Sequence, residues 1–241
     1  MTKPGLLLLV LVLAACESPP PPLAAEAPPP PGLARGIDMP RDARDVSLEL
    51  KGSQLDFVAR YYRDPASHWP PLTAEEAKSV SSAGMSLVSV WESHSHRPDY
   101  FNYATGYYDA LQAYRQAWTA GQPPGSAIYF AVDFNAQPAD MEGVDHYFRG
   151  VYDGLRAAAG PGPGYRLGVY GSGAVCDYLK RMHLAQYAWL SNSTAWSGYD
   201  SFDDWDIRQS GRSPTLSFDQ DSNEARGEYG SFRVANQYSS L

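Results

Sequence analysis

The sequence predicts an α/β protein that folds as a compact (β/α)8, TIM-like barrel, and three observations support this prediction. From residue 35 onward, short apolar runs alternate with longer amphipathic segments, which is typical of parallel strands joined by helical crossovers. The run at residues 128–132 is apolar without a break, as in a strand covered on both faces. The first run continues as "GIDMPRD", which lacks the glycine-rich phosphate turn of an open doubly wound sheet. A closed barrel is therefore preferred to an open sheet.

Short apolar or alternating runs bounded by turn-forming residues predict the strands of the barrel. In chain order they are residues 35–39, 55–62, 86–93, 128–136, 165–172, 186–193, 203–210 and 215–222. The last two are the weaker candidates. Together the runs are enough for the eight strands of a (β/α)8 barrel.

Amphipathic segments between these runs are predicted to be helices, at residues 73–84, 103–121, 138–160 and 173–184. Thr73 is a candidate N-cap, and Glu76 follows it at the spacing of a capping box. Glycines at the ends of the first three segments stand where helices stop. The first crossover, residues 40–53, is short and poorly helical, so the barrel is expected to be irregular there.

Residues 1–15 have the layout of a signal peptide. Lys3 is followed by an apolar run at residues 6–13, which is far too short for a transmembrane helix of ~20 residues. The run ends in "LAAC", which resembles a bacterial lipobox, in which the cysteine is acylated and becomes the first residue of the mature protein. Cys16 is therefore the predicted lipidation site. The alternative is an ordinary secretory signal with Cys16 incidental.

Residues 16–34 are predicted to be the lipidated cysteine and a proline-rich linker, and residues 35–241 the barrel domain. Two proline quartets in the linker favour extended polyproline II and cannot form a core. A lipid anchor with such a spacer would hold the domain away from a bacterial membrane. Glu17 is not the aspartate associated with inner-membrane retention, so the outer membrane is preferred where the bacterium has one.

The composition excludes several function classes. The chain has 27 Asp and Glu against 19 Lys and Arg, a formal net charge of −8, and no basic run, which argues against nucleic acid and anionic lipid surfaces. Apart from Cys16, only Cys176 is present, so no intramolecular disulfide is expected, and its place on a helix face predicts a core residue. No cofactor is predicted, and the chain is expected to be a monomer.

Acidic residues stand at the carboxyl ends of several predicted strands, where barrel enzymes build their active sites. They are Asp38, Glu92, Asp133, Asp206, Asp219 and Asp221. One acid in such a place often only caps the next helix, but several converging in one bowl indicate chemistry. Glycoside hydrolysis needs two carboxyls about 5–9.5 Å apart, one protonated and one ionised. The pattern therefore predicts a glycosidase-like site.

The order and spacing of these motifs resemble a known domain. The stretches "GIDMP", "FVARYY", "SVWES", "IYFAVDFNA", "GVYGS", "YAWLSNS" and "WDIRQS…FDQDSN" are similar to the glycoside-hydrolase-like barrel domain catalogued as a domain of unknown function in secreted bacterial proteins. That domain is in turn similar to the family-25 glycoside hydrolases, the lysozyme-type muramidases. The resemblance spans roughly residues 35–234 and implies a cell-wall glycan, peptidoglycan above all, as the partner.

The resemblance also implies roles for particular residues. The family's first-strand aspartate matches Asp38, and its last-strand acid matches Asp219 or Asp221. Its fourth strand carries Asp-x-Glu with glutamate as the general acid, whereas this chain has Asp133 and Asn135. These two residues are two apart, so on the predicted strand their side chains are expected to point to the same side. An amide cannot donate that proton, so Glu92 is the predicted substitute. The predicted substrate-binding residues, besides Asn135 and the last-strand acids, are Trp91, Tyr170, Trp189 and Gln209.

Two function classes remain open on the sequence. The first is a glycoside hydrolase in which Asp38, Glu92 and Asp133 are catalytic. The second is a catalytically weakened barrel that binds glycan or organises the envelope. A metal site formed by Glu92, His94 and His96 would need alternate residues of an extended strand, but this polar stretch ends at Pro98 and is better interpreted as a loop. No metal is therefore predicted.

Overall fold

The computed structural model describes residues 32–212 and 220–235, so Cys16, both proline quartets and Asp219 lie outside the described residues. Eight strands hydrogen-bond in chain order into a closed barrel. They are β1 (Ala34–Asp38), β2 (Phe57–Tyr62), β3 (Ser86–Trp91), β4 (Ala127–Ala131), β5 (Arg166–Gly171), β6 (Tyr187–Leu190), β7 (Ile207–Arg212) and β8 (Asp221–Ala225). The predicted fold class is confirmed.

Five α-helices cover the outside of this barrel within the described ranges. They are α1 (Ser47–Gly52), α2 (Ala74–Ser82), α3 (Tyr103–Ala120), α4 (Met141–Ala159) and α5 (Gly173–Arg181). The first crossover is irregular as expected, with a 3-10 turn ahead of the six-residue α1. The N-cap at Thr73 is confirmed, since its hydroxyl accepts from the backbone N–H of Glu76. The capping box is not formed, because the Glu76 carboxylate bonds Arg60 and the N–H of Ala43 instead.

The last strand corrects the prediction that all strands are parallel. β8 pairs antiparallel with both β7 and β1. Residues 213–220 between β7 and β8 are too few for a parallel crossover, which needs a dozen residues or more. As a consequence, the start of β8 lies at the same edge of the barrel as the carboxyl ends of β1 to β7.

Two apolar layers hold the barrel. Alternate residues of the strands fill its interior with aromatic rings and small side chains, including Phe57, Tyr129 and Trp189, while the others pack against the helices. Helices α3 and α4 approach closely at Gly106 and Gly150, where an added Cβ would lie 2.0–2.1 Å from a backbone oxygen of the other helix. In the described ranges no helix is long and apolar enough to cross a membrane.

Candidate active site

Asp38 is the last residue of β1, and its side chain is almost fully buried. Three side-chain donors reach its carboxylate: the Tyr61 hydroxyl at 2.9 Å on Oδ1, and the amides of Gln209 at 3.0 Å and Asn223 at 2.8 Å on Oδ2. Burial raises the pKa of Asp38 to about 6, although the three donors oppose this rise. An acid held by three donors is fixed in position as an acceptor, which suits charge stabilisation better than proton donation.

A hydrogen-bond network inside the barrel holds the residues that bond Asp38. The indole Nε1 of Trp189 donates to Asn223 Oδ1 at 2.8 Å, which leaves the amide NH2 of Asn223 to donate to Asp38. The Tyr170 ring packs edge-on against Trp189, with centroids 5.3 Å apart. Trp189 is only 1% exposed, so it is the floor of the site and not the sugar-facing wall that the sequence predicted.

Gln209 joins the last two strands to this network. Its Nε2 donates to Asp38 and, at 3.2 Å, to Asp221 Oδ2, while its Oε1 accepts from the Tyr170 hydroxyl at 3.1 Å. Asp221 pairs in register with Asp38, because the antiparallel β8 begins where β1 ends, and its charge adds to the rise in the pKa of Asp38. The structure therefore brings Asp38, Gln209, Asp221 and Tyr170 together, as predicted.

Glu92 follows β3 directly and points toward the same cleft. Its backbone N–H donates to the carbonyl of Tyr62 at 3.1 Å, which extends the strand pairing to this residue. Burial raises the pKa of Glu92 to about 7; the nearby charge of Asp133 raises it further, and Arg63 lowers it. A carboxyl with this pKa is about half protonated near neutral pH, as a general acid needs to be.

Asp133 comes two residues after the end of β4. Its backbone N–H donates to the carbonyl of Ser95 at 2.9 Å, so the loops after β3 and β4 are joined behind the cleft. Burial raises the pKa of Asp133, and the charge of His96 opposes this rise. The cleft thus contains three carboxyls, those of Asp38, Glu92 and Asp133, and burial raises the pKa of each.

Trp91 and Asp206 also lie away from the places that the sequence predicted. Trp91 is 1% exposed and packs between the sheet and the helices, because Val90 and Glu92 take the inward direction and strand alternation turns Trp91 outward. It does not line the cleft. Asp206 precedes β7 instead of ending it, and it accepts from Lys180 and from the N–H of Ala188 at the opposite end of the barrel.

Asn135 does not share a strand with Asp133, because β4 ends at Ala131. Its Oδ1 accepts from the backbone N–H of Ser197 at 2.9 Å, which ties the loop after β4 to the loop after β6. The expectation that strand pleat aligns Asn135 with Asp133 is therefore wrong. Its predicted contact with a sugar stays a prediction, as does that of Asp219, which lies outside the described residues.

The sequence interpretation missed three residues of the site: Tyr61, Arg63 and Asn223. Tyr61 shares the inward side of β2 with Ala59, so the strand alternation of "FVARYY" carries the signal that would have found it. Arg63 follows the end of β2 and stacks on the Tyr61 ring. Asn223 was missed because the last strand was expected to end at residue 222, whereas β8 only begins at Asp221.

The described ranges contain no cluster of three histidine, cysteine or acidic side chains placed to hold a metal ion. His94 is exposed and packs edge-on against the ring of Tyr100, with centroids 5.9 Å apart. Glu92 and His94 are thus not aligned on one strand, since β3 ends at Trp91.

The raised pKa of Glu92 predicts a pH-dependent change in stability. Folding moves this pKa from 4.5 to about 7, so the folded protein binds the proton more tightly and loses stability as pH rises from about 4.5 through 7. Glu92→Gln removes this loss. Relative to wild type, we expect the variant to gain about 3 kcal/mol in free energy of unfolding on going from pH 4.5 to pH 8, measured by urea denaturation. An equal difference between the two proteins at both pH values would contradict the assignment.

The same barrel fold occurs in other solved protein structures. The Tat-secreted protein Rv2525c of Mycobacterium tuberculosis, solved in complex with L-tartrate, superposes with a TM-score of 0.69 at 19% identity, covering 83% of this chain and 99% of that one. A family 25 glycosyl hydrolase of Bacillus anthracis superposes with a TM-score of 0.53 at 14% identity, covering 82% and 93% of the two chains. At these identities the likeness establishes the fold.

Sequence comparison establishes the family. The uncharacterized protein FadG of Bacillus subtilis is 28% identical over 158 residues, which are 64% of this chain and 27% of FadG. This chain therefore corresponds to about a quarter of that relative. Residues 49–237 match the family described as the Rv2525c-like, glycoside hydrolase-like domain. The resemblance drawn from the sequence motifs is confirmed, and this chain belongs to the Rv2525c-like, glycoside hydrolase-like domain family.

Proposed function

We propose that this protein is an extracytoplasmic glycoside hydrolase that cuts cell-wall glycan of the peptidoglycan type. The observation that carries the proposal is the grouping at one end of the barrel of Glu92, with a pKa of about 7, the buried Asp38 and the partly buried Asp133. Paired carboxyls with separated proton affinities are what glycosidic bond cleavage requires. The fold shared with a family 25 glycosyl hydrolase supports the same substrate class.

In the proposed reaction, Glu92 gives its proton to the glycosidic oxygen, which leaves with the departing sugar as the bond to the anomeric carbon breaks. Asp133 stabilises the positive charge that develops on the remaining ring, or orients the acetamido group of the substrate. Asp38, held by Tyr61, Gln209 and Asn223, supports that charge at longer range. Water then adds to the anomeric carbon and returns a proton to Glu92.

A second candidate function rests on Asn135. Family-25 enzymes have their general acid at the matching position, whereas Asn135 is an amide whose oxygen is already engaged by Ser197. A barrel that binds glycan without cutting it would keep the cleft and lose the donor. Release of reducing ends from purified peptidoglycan by the purified protein decides between the two. Release supports the hydrolase, and saturable binding without release supports the binding protein.

We also propose that Cys16 carries a lipid and that residues 17–34 act as a spacer between membrane and barrel. The support is the "LAAC" motif after an apolar run and the two proline quartets. Because acylation precedes signal cleavage at a lipobox, Cys16→Ala is expected to accumulate as uncleaved precursor, measured by the mass of the protein in membrane fractions. A Cys16→Ala protein that matures and fractionates like wild type would refute the anchor.

A further inference from the structure

Arg63 lies at the rim of the cleft, where hydrogen bonds to its backbone hold it in place. It directly follows β2, and its guanidinium lies over the Tyr61 ring, 4.2 Å from the centroid. Gln116 of α3 holds both backbone groups of Arg63: its Oε1 accepts from the N–H at 3.1 Å, and its Nε2 donates to the carbonyl at 2.6 Å. The stacking and this double hydrogen bond fix where the cation is presented.

One nitrogen of the guanidinium nevertheless lacks a hydrogen-bond partner. Its Nε is buried and makes no hydrogen bond within the described part of the chain. Arg60, within β2, shows the contrast, because its guanidinium reaches a carboxylate through Nε and two backbone carbonyls through its other nitrogens. A buried donor without a partner is costly and calls for an explanation.

The surroundings of Arg63 indicate what it binds. Its stacking on Tyr61, whose hydroxyl donates to Asp38, places the guanidinium at the acidic end of the barrel, and its charge lowers the pKa of Glu92. Asp38, Asp133 and Asp221 make the rest of the cleft acidic, which repels small free anions. An anion can therefore reach Arg63 only as part of a ligand that the cleft binds through other groups. A planar guanidinium matches the two oxygens of a carboxylate.

We propose that Arg63 binds a carboxylate carried by the sugar next to Glu92, so that the protein selects acidic glycans over neutral ones. The inference rests on the proposed function, since it takes a glycan as the occupant of the cleft. The carboxylate has two possible sources: the lactyl ether of a muramic acid residue, or the ring carboxyl of a uronic acid. Both present the same group, and the test below distinguishes them.

The test measures binding by calorimetry with the full chain carrying Glu92→Gln, so that ligands stay intact. The ligands are the disaccharide of N-acetylglucosamine and N-acetylmuramic acid, the same disaccharide with its carboxyl reduced to an alcohol, and a glucuronic-acid disaccharide. Each is titrated with Arg63 intact, with Arg63→Gln and with Arg63→Lys. Arg115→Gln is the matched control, because Arg115 is an exposed cation on α3.

With Arg63 intact, one of the two acidic disaccharides should bind at least about tenfold more tightly than the disaccharide whose carboxyl is reduced to an alcohol. The acidic disaccharide that does so identifies the source of the carboxylate. Arg63→Gln should remove this preference and leave affinity for the reduced ligand within about twofold. Arg63→Lys should keep part of it, and Arg115→Gln all of it.

Equal affinity for the acidic and reduced ligands with Arg63 intact would overturn the inference, as would an equal loss for both in Arg63→Gln. Either outcome leaves the proposed function standing. Absence of binding to every glycan would refute the proposed function and the inference together. Preference for an acidic ligand, combined with a wild-type protein that releases no reducing ends, would support the inference and refute hydrolysis.

Discussion

Glu92→Gln is expected to lower the turnover of peptidoglycan by about 10²–10⁴-fold, the usual cost of losing a general acid. Glutamine keeps the size and polarity of the side chain, but it has no proton to give to the leaving oxygen. The binding of intact glycan should persist, because Asp38, Gln209 and Tyr170 keep their contacts. The measurement is reducing-end release under single-turnover conditions, together with equilibrium binding of the same glycan.

The pH profile adds a second check on Glu92. The acid must be protonated to act, so wild-type turnover should fall as pH rises through about 7, the raised pKa of this residue. Glu75→Gln is the control, since Glu75 is an exposed acid on α2. Full activity in Glu92→Gln would mean that the proton donor lies elsewhere. An inactive wild type with turnover appearing in Asn135→Glu would identify a binding protein that has lost its acid.

The barrel could be predicted because its strands are marked by local patterns. The apolar run at residues 128–132 predicted a strand covered on both faces, and β4 forms there. The direction of β8 was predicted wrongly, although the sequence contains the information needed. The last two predicted strands, at residues 203–210 and 215–222, are too close together for a helical crossover. The short connection between these two strands therefore predicts an antiparallel last strand.

The carboxyls of the site could be predicted because topology alone brings the ends of parallel strands together. Asp38, Glu92 and Asp133 needed only the strands to be recognised. Side-chain direction was harder, since an error of one residue reverses it. Trp91 was placed in the cleft although it alternates with Glu92, and Asn135 was given the direction of a strand that had already ended.

Long-range polar partners could not be predicted at all. Asn223 donates to Asp38 across 185 residues of sequence, and no local pattern in one chain encodes such a pair. The role of Glu76 was mistaken for the same reason. Its position after Thr73 satisfies the local rule for a capping box, but a buried cation from β2 competes for the same carboxylate.

Glu76→Gln is expected to destabilise the fold by about 3–5 kcal/mol, the cost of removing one member of a buried ion pair. Both side chains of the Arg60–Glu76 pair are fully buried, with Nε and Oε1 2.5 Å apart. Glutamine leaves the Arg60 charge in the core without compensation. Urea denaturation at pH 7 measures the effect, and the double variant Arg60→Met with Glu76→Leu should recover most of the loss, because it removes both charges.

Asp177→Asn is the matched control, since Asp177 pairs with Arg181 on the exposed face of α5 and should contribute less than about 1 kcal/mol. A loss in Glu76→Gln as small as in this control would show that the buried pair is not required for stability. The pair also bears on the site. Arg60 donates to the carbonyl of Met39 at 3.0 Å, and Met39 directly follows Asp38. We therefore expect the double variant to fold stably but to bind glycan more weakly than wild type, because Met39 loses one of its two hydrogen bonds to β2 and keeps only the one from its N–H to Ala59.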